Sequence, residues 1–333
     1  MEKYMTISVA AYNVESFLDQ LMQSIVASKA LDRIEVIIVN DGSQDGTEQK
    51  ARYYQEKYPE SVRLINKTNG GHGSAINRGI REAKGKYFRT LDGDDWLESE
   101  HLRALVERMD DLNADIILSN YSNCYDNGKV EVIDDFPRLI KGKTYTFDEL
   151  QPLVEWMRNC TVIYRTELLQ AHDIQLDEKC FYVDAEYALY PIPYVNTIFY
   201  AKEFLYCYRL GRTEQSVSRE NRQRLIADGK RVSESLIKYY ASVKNQLTEC
   251  KKLYFAEGIA THCLFHFKSL MMFPASKEKK EEIRSFEIMI RENVPEAYEK
   301  MAQRGKRSRM LRFLRTTHYQ GYRIMCWYKN RGI

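Results

Sequence analysis

The sequence predicts an α/β chain, with a mainly parallel, doubly wound sheet, helices on both its faces, and a helical C-terminal region. Two observations carry this. Over the first ninety residues, short apolar runs alternate with stretches whose apolar residues recur at helical spacing, as strand–helix–strand crossovers require. After about Glu220 the pattern turns helical, with long amphipathic segments and few turn signals before Pro274 and Pro295.

The elements follow in order. Met5 to Ala11 reads as a buried strand, and Leu18, Leu21, Met22 and Ile25 mark one helix face. Ile34 to Val39 is a β-branched run cut by the turn signal Asn40-Asp41-Gly42-Ser43. A helix from about Asp45 to Lys57 ends near Pro59, and Val62 to Ile65 is a third strand. Ile76, Ile80 and Ala83 mark another helix, and Lys86 to Leu91 is a strand running straight into Asp92. Between about Glu98 and Ser218 a helix (His101 to Leu112) and a strand (Asp115 to Ser119) precede a polar stretch around Asn127-Gly128. The expected division is a first domain over residues 1–218 and a helical region over 219–333.

Composition narrows the class. With 333 residues, 44% hydrophobic and 12% aromatic, the chain can bury a sizeable core. A formal charge of +3 does not call for nucleic acid, and no nucleic-acid motif accompanies it. Seven scattered cysteines with no Cys-x-x-Cys pair argue against a disulfide framework or zinc ribbon and for a reducing, cytoplasmic compartment. No signal-peptide pattern opens the chain, and no apolar run approaches a membrane span.

Ligands of open α/β sheets sit beyond the carboxyl ends of the strands. Two acidic groups occupy such ends, Asp41 and the cluster Asp92-Gly93-Asp94-Asp95. Three carboxylates within four residues repel one another unless a cation is present. Mg²⁺ or Mn²⁺, held by one or two carboxylates and completed by substrate phosphates, answers that repulsion; an acidic turn capping the next helix is the plainer alternative. The loop Asn69-Gly70-Gly71-His72-Gly73-Ser74, leading into a helix, suits a closely approaching anionic ligand. His72 could touch a phosphate there, but a lone loop histidine is more often merely exposed.

Four motifs occur in order: Tyr12-Asn13-Val14-Glu15, Val39-Asn40-Asp41-Gly42-Ser43-x-Asp45-Gly46-Thr47, Gly71-His72-Gly73-Ser74-Ala75-x-Asn77-x-Gly79 and Leu91-Asp92-Gly93-Asp94-Asp95-Trp96. Together they closely resemble family 2 glycosyltransferases of the GT-A fold, of the type that builds bacterial surface glycans. The resemblance covers roughly residues 1–218. It implies an inverting, metal-dependent transfer from a nucleotide diphosphate sugar, with a UDP-sugar as expected donor, to a glycan or lipid-linked acceptor. It also implies a donor pocket lined by Ala11, Tyr12, Asn13, Asp41, Asn77, Asp92 and Gly93, with Asp94 and Asp92 at the metal. Ala10 departs from the family, which usually has Pro there, and implies a looser first turn.

Phe181-Tyr182-Val183-Asp184-Ala185-Glu186-Tyr187 resembles the family's Glu-Asp base motif, with Val183 in place of the usual Glu. Asp184 is then the expected base, taking the acceptor hydroxyl proton as its oxygen attacks the anomeric carbon. Tyr208-Arg209-Leu210-Gly211-Arg212-x-x-Gln215-Ser216-x-Ser218 resembles the segment that closes over the diphosphate. Arg209, Arg212, Gln215 and Ser216 thereby become donor-binding candidates, and spacing does not choose between the two arginines.

His262 and His266, four apart beside Cys263, are interleaved with Leu264, Phe265 and Phe267 and read as packing rather than a metal pair. Residues 301–333 carry nine Lys or Arg and no acid, mixed with large apolar side chains. This pattern fits either peripheral contact with the inner face of an anionic membrane or packing within the protein. Two other functions stay open. A sugar-phosphate nucleotidyltransferase usually has a Gly-rich, Arg-containing loop where this chain reads Ala10-Ala11-Tyr12-Asn13. A non-catalytic donor-binding subunit would not need Asp92-x-Asp94 and a base.

Overall fold

The computed structural model describes residues 2–211 and 218–330. Two compact units divide the chain, Met1–Arg212 and Thr213–Ile333.

The first unit opens with β1 (Met5–Ala11), α1 (Glu15–Ala27), β2 (Ile34–Asn40), α2 (Thr47–Lys57), β3 (Val62–Asn66), α3 (His72–Glu82) and β4 (Tyr87–Asp92). These four strands pair in parallel, in the order β3-β2-β1-β4. β2 is buried along its whole length, and the two faces divide its side chains. Val36 and Ile38 join the larger core with Leu18, Leu21 and Met22 of α1, while Ile37 and Val39 meet Ala75 of α3. A strand covered by helices on both faces has this continuous apolar run.

Beyond β4 the sheet changes character. β5 (Trp96–Leu97), α4 (Ser99–Val106), β6 (Ile116–Tyr125), β7 (Val130–Ile133), β8 (Thr144–Thr146), α5 (Phe147–Leu150), β9 (Val162–Arg165), α6 (Thr166–Ala171), α7 (Asp184–Leu189) and β10 (Thr197–Leu210) complete the unit. The sheet runs β3-β2-β1-β4-β9-β6-β10-β5, with β7 added on β6 and β8 on β10. β9 is antiparallel to both β4 and β6, whereas β10 returns parallel to β6. The sheet is therefore mixed, with its parallel crossovers concentrated in the first ninety residues. Strand direction beyond that point is set by partners distant in sequence, which local periodicity does not report.

The second unit contains α8 (Arg219–Arg224), α9 (Ile226–Val243), α10 (Glu249–Leu270), α11 (Lys277–Asn293), α12 (Pro295–Gln303), α13 (Arg309–Thr316) and α14 (Tyr322–Asn330). α10 packs against α9, α11 and α12 and buries Tyr254, Phe255, Ile259, Cys263, Leu264 and Phe267. A helix apolar on nearly all sides belongs at the centre of its unit. α13 and α14 turn Leu311, Leu314, Tyr322 and Cys326 inward. Arg315 donates to both oxygens of the buried Glu287, at 2.8 and 2.9 Å, and Glu257 accepts from Lys300 at 2.6 Å and from Arg304. Arg304 and Arg315 of the basic tail are thus engaged inside the helical unit. Among the tail's described residues Arg309, Phe313, Arg323, Ile324 and Trp327 are exposed. Among the described residues no helix is long and apolar enough to cross a membrane.

His262 and His266 lie inside this unit. His262 Nε2 donates to the Gly229 carbonyl at 3.2 Å, and His266 meets the Phe286 ring edge-on at 4.8 Å. Burial lowers their pKa values to about 4 and about 3, the Gly229 bond opposing this for His262. Both are neutral when folded, so their contribution to stability is intact above the unfolded value near 6.5. It is lost as pH falls from there toward 4 for His262 and toward 3 for His266, by roughly 3 to 5 kcal/mol per histidine once the shift is fully expressed. The thermal midpoint of the protein should drop over that window, and His262→Gln should flatten the drop. Equal slopes for the two proteins would show that His262 is not buried in its neutral form.

Candidate active site

The registers Ala11↔Asn40 and Ala10↔Asp92 bring the carboxyl ends of β1, β2 and β4 together. Ala11 is buried, and its carbonyl accepts from Asp41 N at 2.9 Å. Tyr12 follows at the surface, half exposed. Asn13 adopts φ +52°, a left-handed conformation that Asn tolerates better than most residues. Its amide donates to Ser43 Oγ at 3.0 Å, and its Oδ1 accepts from Gln44 N at 2.8 Å. Glu15 accepts from Gly46 N at 2.9 Å and Val14 N donates to Thr47 Oγ1 at 2.9 Å, so the two loops are interlocked.

Asp41 is buried and organises the glycine loop. Its Oδ1 accepts from Lys67 Nζ at 2.6 Å and Gly70 N at 2.9 Å, and its Oδ2 from Gly71 N at 2.8 Å. Gly71 then takes φ +83° and leads into α3. Two candidate donor contacts thus have structural duties within the protein, Asn13 in its turn and Asp41 in this loop. Asn77 is a third. Its Nδ2 donates to the Leu176 carbonyl at 2.9 Å while its Oδ1 accepts from Leu176 N at 2.8 Å.

The acidic turn begins where β4 ends. Gly93 N donates to the Ala10 carbonyl at 3.1 Å, and a Cβ at Gly93 would stand 2.9 Å from that oxygen, so the close approach needs glycine. Asp95 is 2% exposed; it accepts from Tyr206 Oη at 2.6 Å and from Arg209 N at 2.7 Å. Burial, then the charges of Asp92 and Asp94, push its carboxyl well above the usual range despite those donors. Arg209 reaches back over the turn. Its Nε donates to the Asp94 carbonyl at 2.8 Å and its Nη2 to Gln20 Oε1 at 2.6 Å. Its guanidinium lies 5.0 Å from the Phe17 ring centroid and 4.8 Å from that of Trp96. Arg212, Gln215 and Ser216 lie outside the described residues.

His72, expected to be merely exposed, faces the acidic turn. Its Nε2 lies 3.1 Å from Asp92 Oδ1. Burial alone would lower the imidazole pKa, but Asp92, with Asp184 and Asp94, outweighs it and raises the value to about 9. Asp92 is held down in turn, burial being outweighed by the adjacent His72 charge and by the Tyr206 hydroxyl. Asp184, the first residue of α7, accepts from Asn159 Nδ2 at 2.9 Å. Its side chain keeps access to solvent, yet the surrounding protein and the Asp92 charge push its carboxyl up, with His72 opposing. Tyr208 is raised by burial first, then by Asp92, Asp95, Asp184 and Asp94, so its phenol stays neutral beside them. Glu186 is fully buried and accepts from Asp177 N at 2.7 Å.

Asp92 thus contacts His72 at 3.1 Å, and the charges of Asp184 and Asp94 also act on that imidazole. Sequence reasoning found these carboxylates by their strand ends and motif, but not the parts played by His72, Tyr206, Asn159 and Lys67. Only contacts between distant segments reveal those. Among the described residues no cluster of three His, Cys, Asp or Glu side chains is arranged as a complete metal cage. The arrangement does fit a divalent cation of the kind that keeps several non-protein ligands. Burial first, and then neighbouring carboxylate charge, raises Asp95 and Asp184, and one or two carboxylates suffice when substrate phosphates complete the shell.

The family model described as Glycosyl transferase family 2 matches residues 6–172, half of the chain. The chain belongs to glycosyl transferase family 2. This glycosyltransferase is 26% identical over 260 residues to the putative glycosyltransferase EpsH of Bacillus subtilis (strain 168), covering 73% of this chain and 71% of EpsH. It is 28% identical over 197 residues to the teichoic acid poly(glycerol phosphate) polymerase of Staphylococcus epidermidis, covering 58% of this chain but 26% of that protein. Among solved structures, S. aureus TarS 1–349 in complex with UDP-GlcNAc matches with a TM-score of 0.68 at 21% identity, covering 99% of this chain and 92% of the TarS chain. At that identity the likeness concerns the fold, and it agrees with the GT-A architecture expected of the family.

Proposed function

We propose that this glycosyltransferase moves a sugar from a nucleotide diphosphate sugar to a hydroxyl of a glycan or lipid-linked acceptor, with inversion and with Mg²⁺ or Mn²⁺. The observation that carries the reading is the His72–Asp92 contact at 3.1 Å at the end of β4, with Asp184 near enough for its charge to act on both groups. A base on the acceptor side and carboxylates on the donor side are the two halves an in-line displacement needs. The UDP-GlcNAc bound by TarS, whose fold this chain shares, supports a UDP-sugar as donor.

In this reading the acceptor oxygen attacks the anomeric carbon as the bond to the diphosphate oxygen breaks. The acceptor proton passes to the Asp184 carboxylate, and a nucleoside diphosphate leaves. The raised pKa of Asp184 makes it a better proton acceptor than an ordinary aspartate, while Asn159 holds one of its oxygens. Asp94, with Asp92, would hold the cation, which when bound neutralises charge developing on the leaving diphosphate. Gly93 lets the turn approach β1, and Ala11, Tyr12, Asn13 and Asp41 form the nucleotide side of the pocket. Arg209 acts as a positioning residue, since its donors already hold the Asp94 carbonyl and Gln20.

A panel of nucleotide sugars, run with and without Mn²⁺, tests this. A UDP-sugar should raise the thermal midpoint in a Mn²⁺-dependent way and release UDP slowly in the absence of acceptor. A panel in which no UDP-sugar does either, or in which EDTA changes nothing, removes the donor or the metal from the proposal.

A further inference from the structure

One strap of chain joins the two sides of the site. Between α6 and α7, residues 174–183 run past the glycine loop and deliver Asp184. Four ties hold the strap. Asn77 pairs both polar atoms of its amide with the backbone of Leu176, from a position 6% exposed on α3. Lys179 N donates to the Gly70 carbonyl at 2.5 Å. Gly73 lies so close that a Cβ there would stand 2.2 Å from the Asp177 carbonyl. From the other side Glu186, fully buried two residues beyond Asp184, accepts from Asp177 N at 2.7 Å.

Within the strap, Lys179 and Tyr182 take φ +52° and +69°. Neither is glycine, and such conformations persist only where surrounding contacts over-determine them. The contacts that do so here come from the glycine loop on one side and α7 on the other.

We propose that Asn77 and Glu186 are positioning residues that clamp this strap to the glycine loop and thereby fix Asp184 relative to the bound donor. The proposal rests on the reading of Asp184 as the base. It reassigns Asn77, whose amide faces the protein backbone, from donor contact to alignment. Misplacing a reacting group by about 1 Å costs roughly 10²-fold in rate, so slackening the strap should act on turnover while leaving the donor held.

The test compares Asn77→Ala, Glu186→Ala and Glu186→Gln for transfer turnover and, separately, for UDP affinity by calorimetry in Mn²⁺. Asn77→Ala and Glu186→Ala should lower kcat roughly 10- to 100-fold. UDP affinity should stay within about twofold, because ground-state donor contacts are untouched. Glu186→Gln keeps an acceptor for Asp177 N and should restore turnover. In an Asp184→Asn background, Asn77→Ala should add little further loss, since both act through one group. If the alanine variants fail to fold, Gly73→Ala displaces the strap by collision and should show the same split. Asn77→Ala weakening UDP as much as it lowers kcat, or the alanine variants keeping wild-type kcat, overturns the clamp. Full turnover in Asp184→Asn alone overturns the base reading instead, and with it the target of the clamp.

Discussion

Asp184→Asn should lower turnover roughly 10²- to 10⁴-fold while donor affinity hardly changes. The substitution nearly preserves shape, and Asn159 can still donate to the remaining carbonyl oxygen, so the local hydrogen bond survives. What disappears is the group that receives the acceptor proton. Because the Asp184 side chain keeps access to solvent, the substitution should leave the fold as stable as before. The decisive measurement is single-turnover transfer with saturating donor beside UDP binding by calorimetry. Wild-type transfer would show that the proton leaves by another route. Glu186 is a poor substitute, because it is buried and bonded to the Asp177 backbone.

Asp94→Ala should reduce transfer at least about 10³-fold and abolish the part of donor binding that depends on the cation, since such a charge contributes several kcal/mol to the transition state. The fold should persist. The turn is held by Asp95, through Tyr206 and Arg209, and by backbone bonds from Gly93 to Ala10 and from Asp95 to Asp92. Arg209 holds the Asp94 carbonyl rather than its side chain, and alanine keeps that carbonyl. Titrating Mn²⁺ against UDP affinity separates the outcomes. A variant whose UDP affinity still rises with Mn²⁺ as in the wild type would remove Asp94 from the cation site.

The first half of the sheet was legible because its strands are parallel, fully buried and separated by helices of regular period. β2 shows why: the β-branched run Ile34 to Val39 reads as a strand, and the structure buries all of Ile34–Asn40. β5, β8 and β9 were not legible. Each is two to four residues long and exists because a distant strand offers it hydrogen bonds. In the site, Asp41 and Asp92–Asp95 were found because strand ends collect ligands in such sheets. His72 and Asn77 were read by the company they keep in sequence, a glycine loop, which suggested exposure for one and a ligand for the other. Their partners, Asp92 and Leu176, are 20 and 99 residues away. The partners of Asp95 were hidden for another reason. β10 changes register against β6 between Tyr200 and Phe204 and again between Phe204 and Tyr206. Strict alternation therefore mispredicts which β10 side chains face the turn.

The place of β10 in the chain has a bearing on how the protein comes into being. It is the last strand of its unit to be synthesised, yet it lies inside the sheet between β6 and β5. A nascent chain ending before Thr197 already contains β3, β2, β1 and β4 with their covering helices, the half that carries Asp41 and the glycine loop. It contains neither Tyr206 nor Arg209, so the buried Asp95 carboxyl has none of the donors that hold it in the finished protein. Pairings between distant segments form slowly because loop closure must precede them. The acidic turn accordingly cannot acquire the donors of Asp95 until β10 has been made.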